Sequence, residues 1–147
     1  MKILAIDPAT ETGWAMGKTA YGLWSLKTRK DESTGMKWLR FKAKIQEVHE
    51  MESLDVIVYE RPAGRHQGAV IHHAKLAGVI EQFCVENKIE YRAYSAGEIK
   101  KFATGKGNSN KEVMIKAAQE KYGYMGSNDN EADALHLWHL ASEDLQS

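Results

Sequence analysis

The sequence lacks features on which several classes of protein depend. It contains one cysteine, Cys84, so a disulfide framework and a thiolate metal cluster are both excluded. No apolar run approaches the ~20 residues that a helix needs to cross a bilayer. The opening MKILAID has the pattern of a strand rather than of a signal peptide. These features lead us to expect a cytoplasmic protein without membrane contacts.

The sequence also lacks an overall charge, but its charges are segregated along the chain. Residues 27–44 carry seven basic and two acidic side chains, a net charge of +5. Residues 100–121 carry six lysines and two glutamates, a net charge of +4, whereas residues 128–147 hold five acids and no lysine or arginine. This separation permits a polyanion-binding surface beside an acidic site, although solvated helix faces would give the same pattern.

The length of 147 residues favours a single domain, residues 1–147. Apolar runs predict strands at Lys2–Asp7, Thr12–Gly17, Tyr21–Leu26, Asp55–Glu60 and Glu90–Tyr94. Helical spacing predicts helices over 33–52, 69–87, from Ser95, over 110–122 and from Asn128. Glu98 and Glu131 stand three residues after Ser95 and Asn128, as in a capping box. The order of elements predicts an α/β fold, a mixed sheet with helices on its faces.

Three carboxylates stand at informative places in this pattern. Asp7 and Glu60 end two predicted strands, and Asp133 lies in the first turns of the last helix. Burying unpaired charge is costly, so acids at such places indicate a function. Carboxylate oxygens are the ligands of hard divalent cations, and convergence of the three would create a metal-dependent phosphodiester-cleaving site.

Four segments in order resemble the RuvC-type Holliday junction resolvases, in the compact form found in bacteriophages. They are IDPATETGWA, IVYERP, YSAGEIKKFATGKGNSNKEVM and DNEADALHLW. The resemblance implies an RNase H-like fold, here a mixed five-stranded sheet flanked by helices. It also implies a homodimer that nicks four-way and related branched DNA with Mg²⁺ or Mn²⁺, in the host cytoplasm if the protein is phage-encoded.

By position, the resemblance makes Asp7, Glu60 and Asp133 catalytic acids. The remaining family position falls on Asn130, where the family usually has an acid. Asparagine is a neutral oxygen donor and cannot act as a base. Asn130 is therefore a natural variant, an inactivating change, or a sign that neighbouring Asp129 has taken over the role. We favour Asn130 as the family's catalytic and metal-binding position, with Asp129 as the competing metal ligand. Asp129 lies four residues before Asp133, on the same helix face.

Two cations per site, about 3.5–4 Å apart, would activate water and neutralise the phosphate. Asp7 is our candidate for the ligand that both share. The loop between residues 100 and 111 supplies the candidate DNA-binding lysines, and the resemblance places two of them, Lys100 and Lys111, at basic positions of the family. The full set is Lys100, Lys101, Lys106 and Lys111.

Three alternatives remain open at this stage. The actin-like sugar-kinase fold also opens with a strand, an Asp and a Thr-Gly, but 147 residues leave no room for its second domain. A different RNase H-like nuclease would share the acids and act on flaps, hybrids or packaged DNA. A junction-binding protein with impaired cleavage would be explained by Asn130.

Overall fold

The computed structural model describes residues 1–146, which contain five strands and five helices. The strands are β1 (Ile3–Asp7), β2 (Glu11–Ala15), β3 (Tyr21–Ser25), β4 (Val56–Glu60) and β5 (Glu90–Tyr94). The helices are α1 (Gly35–Glu52), α2 (Gln67–Asn87), α3 (Ala96–Thr104), α4 (Lys111–Tyr122) and α5 (Asp129–Gln146). The predicted order of elements is confirmed. No helix in this range is long and apolar enough to cross a membrane.

The strands form one mixed sheet in the order β3-β2-β1-β4-β5. β2 is antiparallel to both of its neighbours, whereas β1, β4 and β5 run parallel. Parallel strands need long crossover connections, and α1 and α2 supply them. The carboxyl ends of β1 and β4 are therefore neighbours at one edge of the sheet.

Side-chain alternation assigns each strand residue to one of the two faces. Leu4 and Ile6 of β1 pack with Ile57 and Tyr59 of β4 in the core under α1 and α2. The intervening residues belong to the opposite core, under α3, α4 and α5; they include Ile3, Ala5, Val56 and Val58. Asp7 and Glu60 come two residues after Ala5 and Val58, so the alternation places both acids on this second face.

The helix starts show one prediction confirmed and one corrected. Ser95 and Glu98 form the full capping box at α3. At α5, Asn128 Oδ1 accepts from the Glu131 amide at 3.0 Å, but the reciprocal bond does not form. Tyr124 Oη instead donates to Glu131 Oε1 at 2.7 Å and accepts from the Asn128 amide at 2.9 Å. A tertiary partner has replaced half of the box.

Candidate active site

Asp7 and Glu60 meet because of strand register. β1 and β4 are in parallel register with Ile6 opposite Tyr59, and each acid follows one residue later. Since both acids belong to the same alternation, their side chains leave the same face of the sheet. Asp7 is only 8% exposed. The pairing of two buried strands thus places two carboxylates side by side at the edge where the parallel strands end.

Helix α5 brings the remaining acids to these two. It packs across β1, β2 and β4, with Ala132, Ala134 and Leu135 fully buried. Small alanines let the helix lie close to the sheet. A cavity of about 480 Å³ opens between the first turns of α5 and the ends of β1 and β4. Its acidic and amide lining residues are Asp7, Glu60, Asn110, Asp129, Asn130 and Asp133.

The carboxylates of this cavity repel one another. Burial, followed by the charges of Asp133, Glu60 and Asp129, raises the pKa of Asp7 well above its usual value. Burial and the charges of Glu60 and Asp129 raise the pKa of Asp133 to about 7. Burial also raises the pKa of Glu60. Asp7 is the most buried of these acids, whereas Glu60, Asp129 and Asp133 are partly exposed.

Two of the four candidate lysines reach the cavity. Lys100 and Lys111 line it, and their positive charges oppose the rise in the pKa of Asp133. Lys111 Nζ lies 3.5 Å from Asp129 Oδ2. Lys101 and Lys106 are exposed outside the cavity. The structure therefore brings Lys100 and Lys111 together with the acids and leaves Lys101 and Lys106 on the neighbouring surface.

The loop that carries Lys106 is held in place by its own side chains. Thr104 Oγ1 accepts from the Lys106 amide at 3.2 Å, and Ser109 Oγ donates to the Lys106 carbonyl at 3.0 Å. Gly105 ends α3 with φ of +85°, a conformation that glycine adopts without strain. The loop is thus an ordered turn between α3 and α4, at whose far end Asn110 caps α4.

Asn130 and its neighbour Asp129 have different surroundings. Asn130 Nδ2 donates to the Glu11 carbonyl of β2 at 2.7 Å. A carboxylate at this position could not donate that bond. Asp129 contacts Lys111 and, through its charge, raises the pKa of both Asp7 and Asp133. Both residues line the cavity, so the structure keeps both as candidates for the fourth position.

Gly13 is a positioning residue that the sequence analysis did not identify. It pairs with Asp7 across β1 and β2, and a Cβ there would lie 2.0 Å from the Asn130 carbonyl oxygen. The backbone of α5 therefore rests directly on β2 at this glycine. The glycine of the Thr12-Gly13 dipeptide is visible in the sequence, but the sequence could not show that the backbone of α5 packs against it.

We expect Gly13→Ala to displace the start of α5, because the new methyl group meets main-chain atoms that cannot rotate away. Overpacking of this kind costs roughly 1–3 kcal/mol of unfolding free energy. It should also weaken binding of Mn²⁺, since Asp129 and Asp133 move with the helix. Urea unfolding and calorimetric titration of Mn²⁺ measure the two effects.

Gly17→Ala is the matched control for this change. It lies just beyond the same strand, and its Cβ would meet only Ala20 Cβ at 4.0 Å, an ordinary contact. Equal stability and equal Mn²⁺ affinity of the two variants would contradict the positioning role of Gly13.

His73 is a second residue that sequence reasoning missed. Its Nε2 donates to the Glu60 carbonyl oxygen at 2.8 Å, so α2 holds the end of β4. Burial lowers the pKa of His73. Thr12 similarly stabilises the end of β1. Its buried hydroxyl donates to the Ala9 carbonyl at 2.6 Å and closes the turn after Asp7.

The donor set of the cavity fits hard divalent cations. All of its candidate ligands offer oxygen, and the mutual repulsion of the carboxylates is what a bound cation relieves. Within residues 1–146 no group of three His, Cys, Asp or Glu side chains is arranged so that it could hold a metal ion by itself. Mg²⁺ is usually held by one or two carboxylates together with water and substrate phosphates, so carboxylates spread around an open cavity are compatible with it.

Comparisons with known proteins identify the fold. No family model and no curated protein sequence matches this chain. Among solved structures, Thermus thermophilus RuvC in complex with a Holliday junction substrate matches with a TM-score of 0.72 and 21% identity, over 93% of this chain and 90% of that one. Thermus thermophilus RuvC by itself matches with a TM-score of 0.70 and 21% identity, over 99% and 97%.

The yeast mitochondrial Holliday junction resolvase Ydc2 matches with a TM-score of 0.67 and 14% identity, over 99% of this chain and 80% of that one. The protein therefore has an RNase H-like fold, as predicted. More particularly, it has the fold of the RuvC-type Holliday junction resolvases over nearly its whole length.

Proposed function

We propose that the protein is a structure-specific endonuclease that resolves four-way DNA junctions and related branched DNA by metal-dependent phosphodiester hydrolysis. The observation that carries this proposal is one cavity lined by Asp7, Glu60, Asp129 and Asp133 and bordered by Lys100 and Lys111. The shared fold with RuvC supports it, because resolvases of that fold act on the same class of DNA.

The residues of the cavity would have different roles in the reaction. Two Mg²⁺ or Mn²⁺ ions, when bound, neutralise the phosphate and activate water for attack. Asp7 is the most buried of the acids and is our candidate for a ligand of both ions. Glu60 would complete the ligands on the β4 side, and Asp133 those on the α5 side. Lys100 and Lys111 offset the negative charge of the scissile phosphate.

We assign the fourth acidic role to Asp129 and a positioning role to Asn130. Asp129 supplies a negative charge that acts on both Asp7 and Asp133. The amide of Asn130 ties α5 to β2 through the Glu11 carbonyl, beside Gly13. On this assignment Asn130 is compatible with an active enzyme, because the charge of the family's fourth position is present one residue earlier.

The decisive experiment incubates a labelled four-way junction with the protein and Mg²⁺ or Mn²⁺. We expect paired nicks near the crossover, with much weaker cleavage of linear duplex. Nicking of flaps or RNA–DNA hybrids in preference to junctions would indicate a different RNase H-like nuclease. Tight junction binding without nicks in either metal would indicate a binding protein. The absence of both nicking and binding would contradict the proposal altogether.

Lysine substitutions test the DNA-binding surface. We expect Lys100→Ala and Lys111→Ala each to weaken junction binding and to reduce the salt dependence by roughly one unit, because each removes one phosphate contact. Binding measured over a salt series gives the slope. Lys116→Ala is the control, since Lys116 is exposed on α4 outside the cavity and pairs with Glu120 at 3.9 Å. Slopes that equal the control would remove both lysines from the surface.

We also propose a homodimer, since symmetric resolution needs two active sites facing opposed strands. The exposed stripe of α2 is the candidate interface. Ile71 and Val85 are 47% and 70% exposed on it, and the small residues Ala74 and Gly78 lie between them. A Cβ on Gly78 would meet no atom within 4 Å, so nothing in residues 1–146 covers the centre of the stripe. Small residues there would allow close approach of a second helix.

We expect the parent to have the mass of a dimer by light scattering at micromolar concentration, and Gly78→Arg to have the mass of a monomer, because a long charged side chain would separate the helices. Gly68→Arg is the matched control on the same helix, at a position where a Cβ also meets no atom within 4 Å. A monomeric parent, or a dimeric Gly78→Arg variant, would place the interface elsewhere.

A further inference from the structure

We propose that the protein has a second phosphate-binding surface, centred on Lys37 of α1 and Lys75 of α2, which binds the DNA backbone at the crossover of a branched substrate. This inference rests on the proposed function and extends it. The surface would hold phosphates that a linear duplex does not present together, and would therefore contribute to the preference for junctions over duplex.

The surface is built across the seam between α1 and α2. The ring of His72 lies 5.5 Å from that of Trp38, and Lys75 Nζ lies 5.7 Å from the Trp38 ring centroid. Burial, and then the charges of Lys37 and Lys75, lowers the pKa of His72. Lys75 Nζ thus stands over the Trp38 ring, and Lys37 directly precedes Trp38 in α1, so the two lysines flank the packed Trp38 and His72 rings.

The charges of this surface lack acidic partners. In the basic segment 27–44, Arg29 pairs with Asp31, Arg40 with Glu32, and Lys42 with Glu86. Neither Lys37 nor Lys75 forms an ion pair within residues 1–146. The first turns of α1 and α2 also contain no acidic residue. Two like charges held near each other favour an anion between them.

The surface lies at the same edge of the sheet as the acids. β3 runs parallel to β1, and the Leu26 amide, just after β3, donates to the Thr10 carbonyl at 2.8 Å. Helix α1 therefore begins near the turn that follows Asp7. Helix α2 begins after β4, and its His73 bonds to the Glu60 carbonyl. Lys75 is two residues beyond His73, within one helical turn of the catalytic edge.

The surface also adjoins the candidate dimer stripe. Lys75 is flanked on α2 by Ile71, Ala74 and Gly78 of that stripe. In a two-fold dimer through α2, the copies of the surface would lie on either side of the axis, between the two catalytic cavities. We expect the crossover of a bound four-way junction, where four strands bring their phosphates together, to occupy this place.

The test compares the double variant Lys37→Gln/Lys75→Gln with the control double variant Lys42→Gln/Lys44→Gln. The control also removes two positive charges, both from a later part of α1. Each protein is titrated with a four-way junction and with a linear duplex of equal length, over a salt series. We expect the first variant to lose on the order of tenfold in junction affinity and about two units of salt slope, because two phosphate contacts disappear. Its duplex affinity and the junction affinity of the control should stay within about twofold of the parent.

Lys37→Arg/Lys75→Arg keeps the charge and should restore junction affinity, which separates a phosphate contact from a loss of folding. Equal losses on junction and duplex, or no loss on either, would overturn the inference. A monomeric mass for Lys37→Gln/Lys75→Gln would also overturn it, because the lysines would then act at the interface between subunits. A parent that fails to bind junctions would instead contradict the proposed function.

Discussion

Asp7→Asn should abolish cleavage of a four-way junction and leave binding of the junction largely intact. Asp7 is the most buried of the cavity acids, and an amide could not replace the charge of the shared metal ligand that we propose it to be. Loss of about 4 kcal/mol of transition-state stabilisation lowers the rate about a thousandfold. The lysines that we propose to contact phosphate are unchanged, so the affinity should fall little. Single-turnover cleavage and binding without added metal measure the two quantities.

Asp55→Asn is the matched control, because Asp55 immediately precedes β4 at the end remote from Glu60 and is exposed. Cleavage by Asp7→Asn within a few-fold of that control would contradict the assignment of Asp7. A loss of binding equal to the loss of cleavage would indicate misfolding or a purely DNA-binding role.

The same substitution should change the pH dependence of stability in a direction that follows from the acids. A carboxyl group whose pKa is raised by folding binds more protons in the folded state, so stability falls as pH rises through the interval between the two pKa values. For Asp133 that interval runs from 3.8 to about 7. Asp7→Asn removes one repelling charge, so the metal-free variant should be more stable than the metal-free parent at pH 8, with a smaller difference at pH 5. Thermal unfolding in a chelator at both pH values tests this.

Asp129→Asn should lower both divalent-cation affinity and cleavage by a large factor, because it removes a full charge from the α5 side of the cavity. Asn130→Asp should not raise cleavage by orders of magnitude. It replaces the amide that donates to the Glu11 carbonyl with a carboxylate that cannot donate, so it should lower the stability of the metal-free protein. Mn²⁺ calorimetry on the free protein reads the ligand role independently of activity.

The opposite outcome is equally specific. A large gain in cleavage and in Mn²⁺ affinity from Asn130→Asp, with little effect from Asp129→Asn, would show that residue 130 is the ligand position and that its asparagine is inactivating. No effect from either variant would place the fourth ligand elsewhere in the cavity.

Local pattern was enough to predict most of the fold. Short apolar runs located all five strands, and the Ser95 and Asn110 helix starts follow from side chains that bond within three residues. The half-formed capping box at α5 shows the limit of such reasoning. The hydroxyl of Tyr124 competes for the Glu131 carboxylate, and that competition depends on how α4 and α5 pack.

The sequence shows how many surface charges there are, but not which of them are engaged in ion pairs and which line the cavity. The basic segment 27–44 reads as seven positive charges, yet ion pairs within the segment and with α2 engage Arg29, Arg40 and Lys42. Lys37 becomes part of a proposed phosphate-binding surface only together with Lys75, which belongs to another helix. Of the four candidate lysines, only Lys100 of α3 and Lys111 of α4 line the cavity, whereas Lys101 and Lys106 are exposed outside it.

The sequence by itself determined which acids end the central strands, because alternation and strand length are local properties of the chain. Only the tertiary structure decided that Asp7 stands beside Glu60, through the register of β1 on β4. It also decided that α5 rests on Gly13, with Asn130 bonded to Glu11, 119 residues away in the chain. Contacts at such separation depend on the packing of whole elements, and no local preference of either residue specifies them.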